Sequence, residues 1–159
     1  DRNDRDVIGV LTGLGAAPAR IHRMPAYDEQ GVHAAAERYG AQLREHQPDA
    51  FDMVMLGVGP DGHVASLFPG HVALEETERL AIGVTDSPKP PPERVSLTLP
   101  AVNRAREVWF VASGANKAEA VAAARRSGPV AAVPARGVRG LERTRWWLDA
   151  DAAAEPTGP

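Results

Sequence analysis

Apolar positions recur along this chain with two different periods, and the change of period divides it into helices and strands. Val7, Ile8, Val10, Leu11 and Leu14 follow helical spacing, which predicts a short covering helix with Asn3 or Asp4 as N-cap and Gly13 and Gly15 at its end. Residues 19–24 are a brief strand candidate closed by Pro25, with His22 at the surface. The longest predicted helix runs from 28 to 47, with Val32, Ala35, Ala36, Tyr39 and Leu43 on one face and Pro48 as its stop. His33 and His46 flank its polar side. Met53 to Leu56 are four consecutive apolar residues followed by glycine, the pattern of a strand buried on both faces of a parallel sheet.

Beyond the glycine-rich stretch that follows, residues 80–85 are predicted as a second strand. Residues 86–92, Asp-Ser-Pro-Lys-Pro-Pro-Pro, form a stiff exposed connection, and 94–99 alternate as a half-buried strand should. A helical turn at 100–104 leads to an apolar strand at 107–112, and Ser113-Gly-Ala-Asn-Lys117 then opens an alanine-rich helix over 118–126. A loop at 129–134 and a basic turn at 134–139 precede a last strand at 144–149, whose Trp146 and Trp147 point to opposite faces. Asp149 or Asp151 is expected to cap a terminal helix before a frayed tail at 156–159. This order predicts an α/β fold: a three-layer, Rossmann-like domain with a mostly parallel sheet.

Length and charge narrow the function classes. With 159 residues the chain can bury about 70% of its unfolded surface around a single core. A net charge of −3 from 18 basic and 21 acidic residues, with no concentrated basic block, argues against a nucleic-acid partner. The absence of cysteine excludes disulfides and cysteine-based nucleophile or metal chemistry. No apolar run approaches the roughly 18 residues of a membrane span, so no membrane partner and a cytoplasmic location are expected.

The candidate chemistry lies directly after the Met53 to Leu56 run. Gly57, Gly59 and Gly62 allow a tight exit from the strand and close approach of a ligand to main-chain N–H groups. Asp61 and His63 add an anion and an imidazole, whose ordinary pKa of about 6.5 suits proton transfer near neutral pH. A second strand–glycine–helix junction, at Ser113 to Lys117, is a natural anion site with Lys117 as a point charge.

The longer string Gly57-x-Gly-x-Asp-Gly-His63-x-x-Ser66-Leu-Phe-Pro-Gly70 resembles the signature of the 6-phosphogluconolactonases. Ser113-Gly-Ala-x-Lys117 is similar to a Gly-Ala-x-Lys segment of that family, and Arg94 stands where the wider superfamily has an arginine opening an Arg-x-x-x-Thr strand. The resemblance covers nearly the whole chain. It implies hydrolysis of 6-phospho-D-glucono-1,5-lactone, a sugar-phosphate lactone, to 6-phosphogluconate, in the oxidative pentose phosphate pathway, with neither metal nor cofactor. His63 would be the base, and Asp61 would orient it or hold a sugar hydroxyl. Backbone N–H groups of the Gly57 to Gly62 turn would face the oxyanion, and Arg94 with Lys117 would clamp the phosphate. The family also carries an N-terminal third, with a Gly-Gly phosphate loop and an acidic-arginine strand end, that does not occur in these residues. Residues 1–155 are therefore expected to be the C-terminal two-thirds of one such domain, lacking its N-terminal portion, with Asp1 to Asn3 similar to the tail of that second motif. An open sheet edge and a tendency to associate are expected with it. Two alternatives remain: a glucosamine-6-phosphate deaminase or isomerase, which typically follows the histidine with Phe-Asn-Glu-Pro where this chain has Ser66-Leu-Phe-Pro69, and an inactive sugar-phosphate-binding fragment. The glycines might be taken for a dinucleotide fingerprint, but that motif opens directly into a helix, and here the chain runs on through His63 to Pro69.

Overall fold

A computed structural model describes residues 4–26, 28–46 and 49–154. The expected roles of Asp1 to Asn3, of Pro48 as a helix stop and of the 156–159 tail fall outside these residues. In chain order the elements are α1 (Asp4–Gly13), α2 (Gly31–His46), β1 (Met53–Leu56), β2 (Ala81–Val84), β3 (Arg94–Leu97), α3 (Leu99–Asn103), β4 (Glu107–Ala112), α4 (Ala118–Arg125) and β5 (Arg143–Leu148). The main sheet is parallel, in the order β1-β4-β5, with Met53 opposite Glu107 and Glu107 opposite Arg143. β2 and β3 pair antiparallel as a separate ribbon, on which α2 packs through Val32, Ala35, Ala36 and Leu43. The fold is α/β and Rossmann-like, as the order of elements predicts.

One face of the sheet carries the core. Val54, Leu56, Val108, Phe110 and Ala112 are buried there against Val64, Leu67, Val84 and Val121, and Trp146 stacks on Phe110 with ring centroids 3.9 Å apart. Side chains on a strand alternate between faces, so Met53, Met55, Val111 and Trp147 project to the other side. They are 44%, 60%, 47% and 48% exposed. This corrects the expectation that β1 is buried on both faces: an apolar run tells what the strand is made of, and burial depends on what lies across from it. Trp146 and Trp147 lie on opposite faces as expected, with Trp146 partly buried on the core side.

Three other local expectations change. α1 forms, but Val7, Val10, Leu11 and Leu14 are exposed, so it covers no core; Asp4 lies within the helix and pairs with Arg23 at 2.9 Å. Residues 19–24 are not a strand, because Pro18 starts a 3₁₀ turn over Pro18–Arg20 instead. After β5 only a single turn forms: the Asp149 carboxylate caps it through the Ala152 N–H at 2.8 Å, and no terminal helix follows among the described residues.

The connection into β2 turns on Glu76. Its carboxylate accepts the backbone N–H groups of Arg79 and Glu78, at 2.9 and 2.8 Å, and pairs with the Arg79 guanidinium. Those bonds outweigh burial and hold the Glu76 carboxyl at about 2, against an ordinary 4.5. A depressed folded-state value contributes stability that is complete above pH 4.5 and is lost as pH falls through 2. Glu76→Ala should cost about 0.5–2 kcal/mol at neutral pH, the range for losing such a cap, and the deficit should shrink in urea titrations run toward pH 2.

Candidate active site

Parallel pairing brings the C-terminal ends of β1 and β4 side by side, where ligands of open α/β sheets collect. β1 leaves the sheet through Gly57 and Val58 into a tight turn. The Gly62 N–H bonds the Gly59 carbonyl at 2.9 Å around Pro60 and Asp61, and the Gly59 N–H bonds the His63 carbonyl at 2.9 Å. Val64, Leu67 and Phe68 then plunge into the core and anchor the stretch, while the Ser66 N–H donates to Ser96 Oγ at 3.0 Å. On the far side the Ala135 N–H bonds the Gly62 carbonyl at 3.0 Å. The site is thus a short turn pinned at both ends.

Within it, His63 Nδ1 lies 2.5 Å from Asp61 Oδ1, and the His63 backbone N–H reaches the same oxygen at 3.3 Å. Burial pushes the Asp61 carboxyl up, but the ring and backbone hydrogen bonds from His63 and its charge outweigh this, and the pKa lies below the ordinary value. Asp61 is therefore a carboxylate at neutral pH, able to hold one tautomer of the imidazole. Phe68 packs against His63, with ring centroids 4.7 Å apart. Gly59 is required by this geometry: a Cβ there would overlap His63 Nδ1 and Cε1 and crowd Asp61 Oδ1.

A cleft of about 400 Å³ opens beside the pair, lined by Gly57, Gly59, His63, Lys89 and Lys117 among others. Lys117 reaches it from the 3₁₀ turn Ala115–Lys117 that starts α4. The Asp149 carboxylate fixes that junction by accepting the Gly114 N–H, at 3.0 and 3.1 Å. The sequence-predicted His63, Asp61, glycines and Lys117 are thereby brought together. Arg94 is not. Its Nη2 donates to the Lys89 and Pro90 carbonyls at 3.0 and 2.7 Å, its Nε to the Pro91 carbonyl at 3.1 Å, and its guanidinium lies 5.6 Å from the Phe68 ring centroid. The expected two-residue clamp is not formed, because the guanidinium is spent on the proline loop. Arg94 instead borders a larger concavity of about 700 Å³ beside α1, which holds neither His63 nor Lys117. The imidazole–carboxylate pair adjoins the smaller cleft, not the larger one.

Lys89 was not legible as a site residue. Its Nζ stands 3.5 Å from His63 Nδ1 and 3.7 Å from Asp61 Oδ2. A lone lysine among prolines, at 88 and 90–92, was the available signal, since prolines fix the direction in which such a side chain leaves the backbone.

A sequence profile of glucosamine-6-phosphate isomerases/6-phosphogluconolactonase matches residues 1–147. The chain belongs to this family. A 6-phosphogluconolactonase of Mycobacterium leprae is 44% identical over 167 residues, covering 99% of this chain and 68% of that protein. One of Streptomyces coelicolor is 50% identical over 156 residues, covering 92% and 60%. Among solved structures, a 6-phosphogluconolactonase of Thermotoga maritima superposes with a TM-score of 0.64 at 34% identity, over 72% of this chain and 50% of that one. The chain thus spans between half and about two-thirds of the length of these relatives. Relatives at 44–50% identity carry the lactonase name, which leaves the deaminase alternative with less support. Among the described residues no helix is long and apolar enough to cross a membrane.

Proposed function

We propose that this protein hydrolyses 6-phospho-D-glucono-1,5-lactone to 6-phosphogluconate in the cytoplasm. That activity is carried by the imidazole–carboxylate pair, 2.5 Å apart, whose imidazole lines a cleft together with two lysines. With Nδ1 committed to Asp61, Nε2 of His63 is the nitrogen that takes a proton from water as its oxygen attacks C1 of the lactone. The carbonyl becomes a tetrahedral oxyanion. When it collapses, the bond from C1 to the ring oxygen breaks and His63 returns its proton to that oxygen, leaving an open-chain acid that ionises. A lactone is an activated ester, so a base plus electrostatic stabilisation is sufficient. Lys117 anchors the phosphate, which holds the ring over the base and supplies rate through orientation.

Lys117→Ala should weaken binding of 6-phosphogluconate by about 1.5–3 kcal/mol, as expected for one charge-assisted hydrogen bond. Gluconolactone without its phosphate should be a poor substrate. Calorimetry of both ligands checks this: equal affinity for the phosphorylated and unphosphorylated forms would remove the phosphate from the reading.

A further inference from the structure

We propose that Lys89 is a catalytic residue of that reaction, its ammonium stabilising the negative charge that develops on the lactone's carbonyl oxygen, while Lys117 takes the phosphate. The inference rests on the lactonase reading above. Of the turn's main-chain N–H groups, Gly59 and Gly62 spend theirs on the His63 and Gly59 carbonyls, at 2.9 Å each. His63 spends its own on Asp61, and Pro60 has none. These N–H groups of the turn are thus engaged within it, and a cation held beside His63 supplies the oxyanion with a further donor.

Lys89 places a cation against the pair. At 3.5 Å from His63 Nδ1 and 3.7 Å from Asp61 Oδ2, its ammonium is held by attraction yet sits at or beyond the limit of a hydrogen bond, so it is not consumed by either group. A base must come within about 3 Å of the water it deprotonates, which places C1 and its oxygen within a lysine's reach of His63. The phosphate hangs several bonds away along C5 and C6, in the cleft that the second lysine also lines. Proximity to the base thus separates the two roles.

The loop is also built to hold Lys89 still. The Ser87 hydroxyl donates to the Lys89 carbonyl at 2.8 Å, the Lys89 N–H returns to Ser87 Oγ at 3.3 Å, and the Ser87 N–H closes on the Pro92 carbonyl at 2.9 Å. Arg94 adds its bonds to the Lys89, Pro90 and Pro91 carbonyls. A donor fixed before the reaction costs no reorganisation when charge develops, which is the condition for effective oxyanion stabilisation. Arg94 is accordingly a positioning residue, acting through the loop.

The test compares wild type, Lys89→Gln and Lys89→Arg on freshly generated 6-phosphogluconolactone across pH, with spontaneous hydrolysis subtracted. Lys89→Gln should lower kcat by about 10²–10³-fold, the effect of removing one oxyanion donor. Its KM should stay within about threefold, because the lost contact exists only in the transition state. Lys89→Arg should recover part of the rate. A raised KM at unchanged kcat would make Lys89 a ground-state phosphate ligand and overturn the proposal. So would an intact plateau rate with only the acid limb displaced, which would mean that Lys89 merely tunes His63. An inactive wild type would defeat the lactonase reading itself and Lys89's role with it, whereas an active wild type with an unaffected Lys89→Gln would defeat this inference alone.

Discussion

Replacing His63 with alanine should lower kcat for lactone hydrolysis by about 10²–10⁴-fold, the usual worth of a general base. The side chain is 17% exposed, touches Asp61 and Phe68, and spans no element boundary, so the fold should survive its removal. KM should change little, since the phosphate is held elsewhere. Asp61→Asn should give a smaller loss: the amide can still meet the ring but no longer compensates the imidazolium formed on proton transfer. Steady-state rates with the background subtracted, read beside thermal melting, separate loss of chemistry from loss of structure. A His63→Ala protein at the wild-type rate would end the base assignment.

Gly59→Ala should be nearly as damaging although it removes no functional group. Its Cβ would occupy the space of His63 Nδ1 and Cε1, and Asp61 Oδ1 is close behind, so the imidazole or the carboxylate must move. Displacing a catalytic group by about 1 Å costs on the order of 10²-fold in rate, and overpacking a fixed turn costs about 1–3 kcal/mol of stability. Gly62→Ala is the informative partner. Gly62 has φ +80°, and a Cβ there would meet Val133 Cγ1 at 2.6 Å, away from the pair. It should therefore reduce stability more than kcat. Denaturant midpoints and kcat measured for both variants would contradict the account if Gly59→Ala kept its rate while Gly62→Ala lost its own.

What the sequence disclosed follows the range of the interactions concerned. β1 was legible to the residue, and so was the Asp61–His63 pair, because two side chains two residues apart on a pinned turn meet through local geometry alone. The junction at Lys117 was legible for the same reason, as strand, glycine and helix adjoin in the chain. Lys89 was not, since it reaches His63 across 26 residues and only the closure of the proline loop aims it. Arg94 was misplaced because a charge at a strand start says nothing about competing acceptors, and three loop carbonyls reach its guanidinium first. The start of α2 at Gly31 rather than 28 has a local cause that was missed: the Asp28 side chain accepts the Gln30 N–H at 3.0 Å and its carbonyl the Gly31 N–H at 2.8 Å, making a turn before the helix. The bare face of β1 depends on what lies across the sheet, which no local pattern encodes.

The most direct test of the central claim is the rate at which the purified protein hydrolyses freshly generated 6-phosphogluconolactone, measured against spontaneous hydrolysis and against its own His63→Ala variant. Turnover should stand well above background in the wild type and fall by about 10²-fold or more in the variant. Background rates in both proteins, or equal acceleration by both, would contradict that claim.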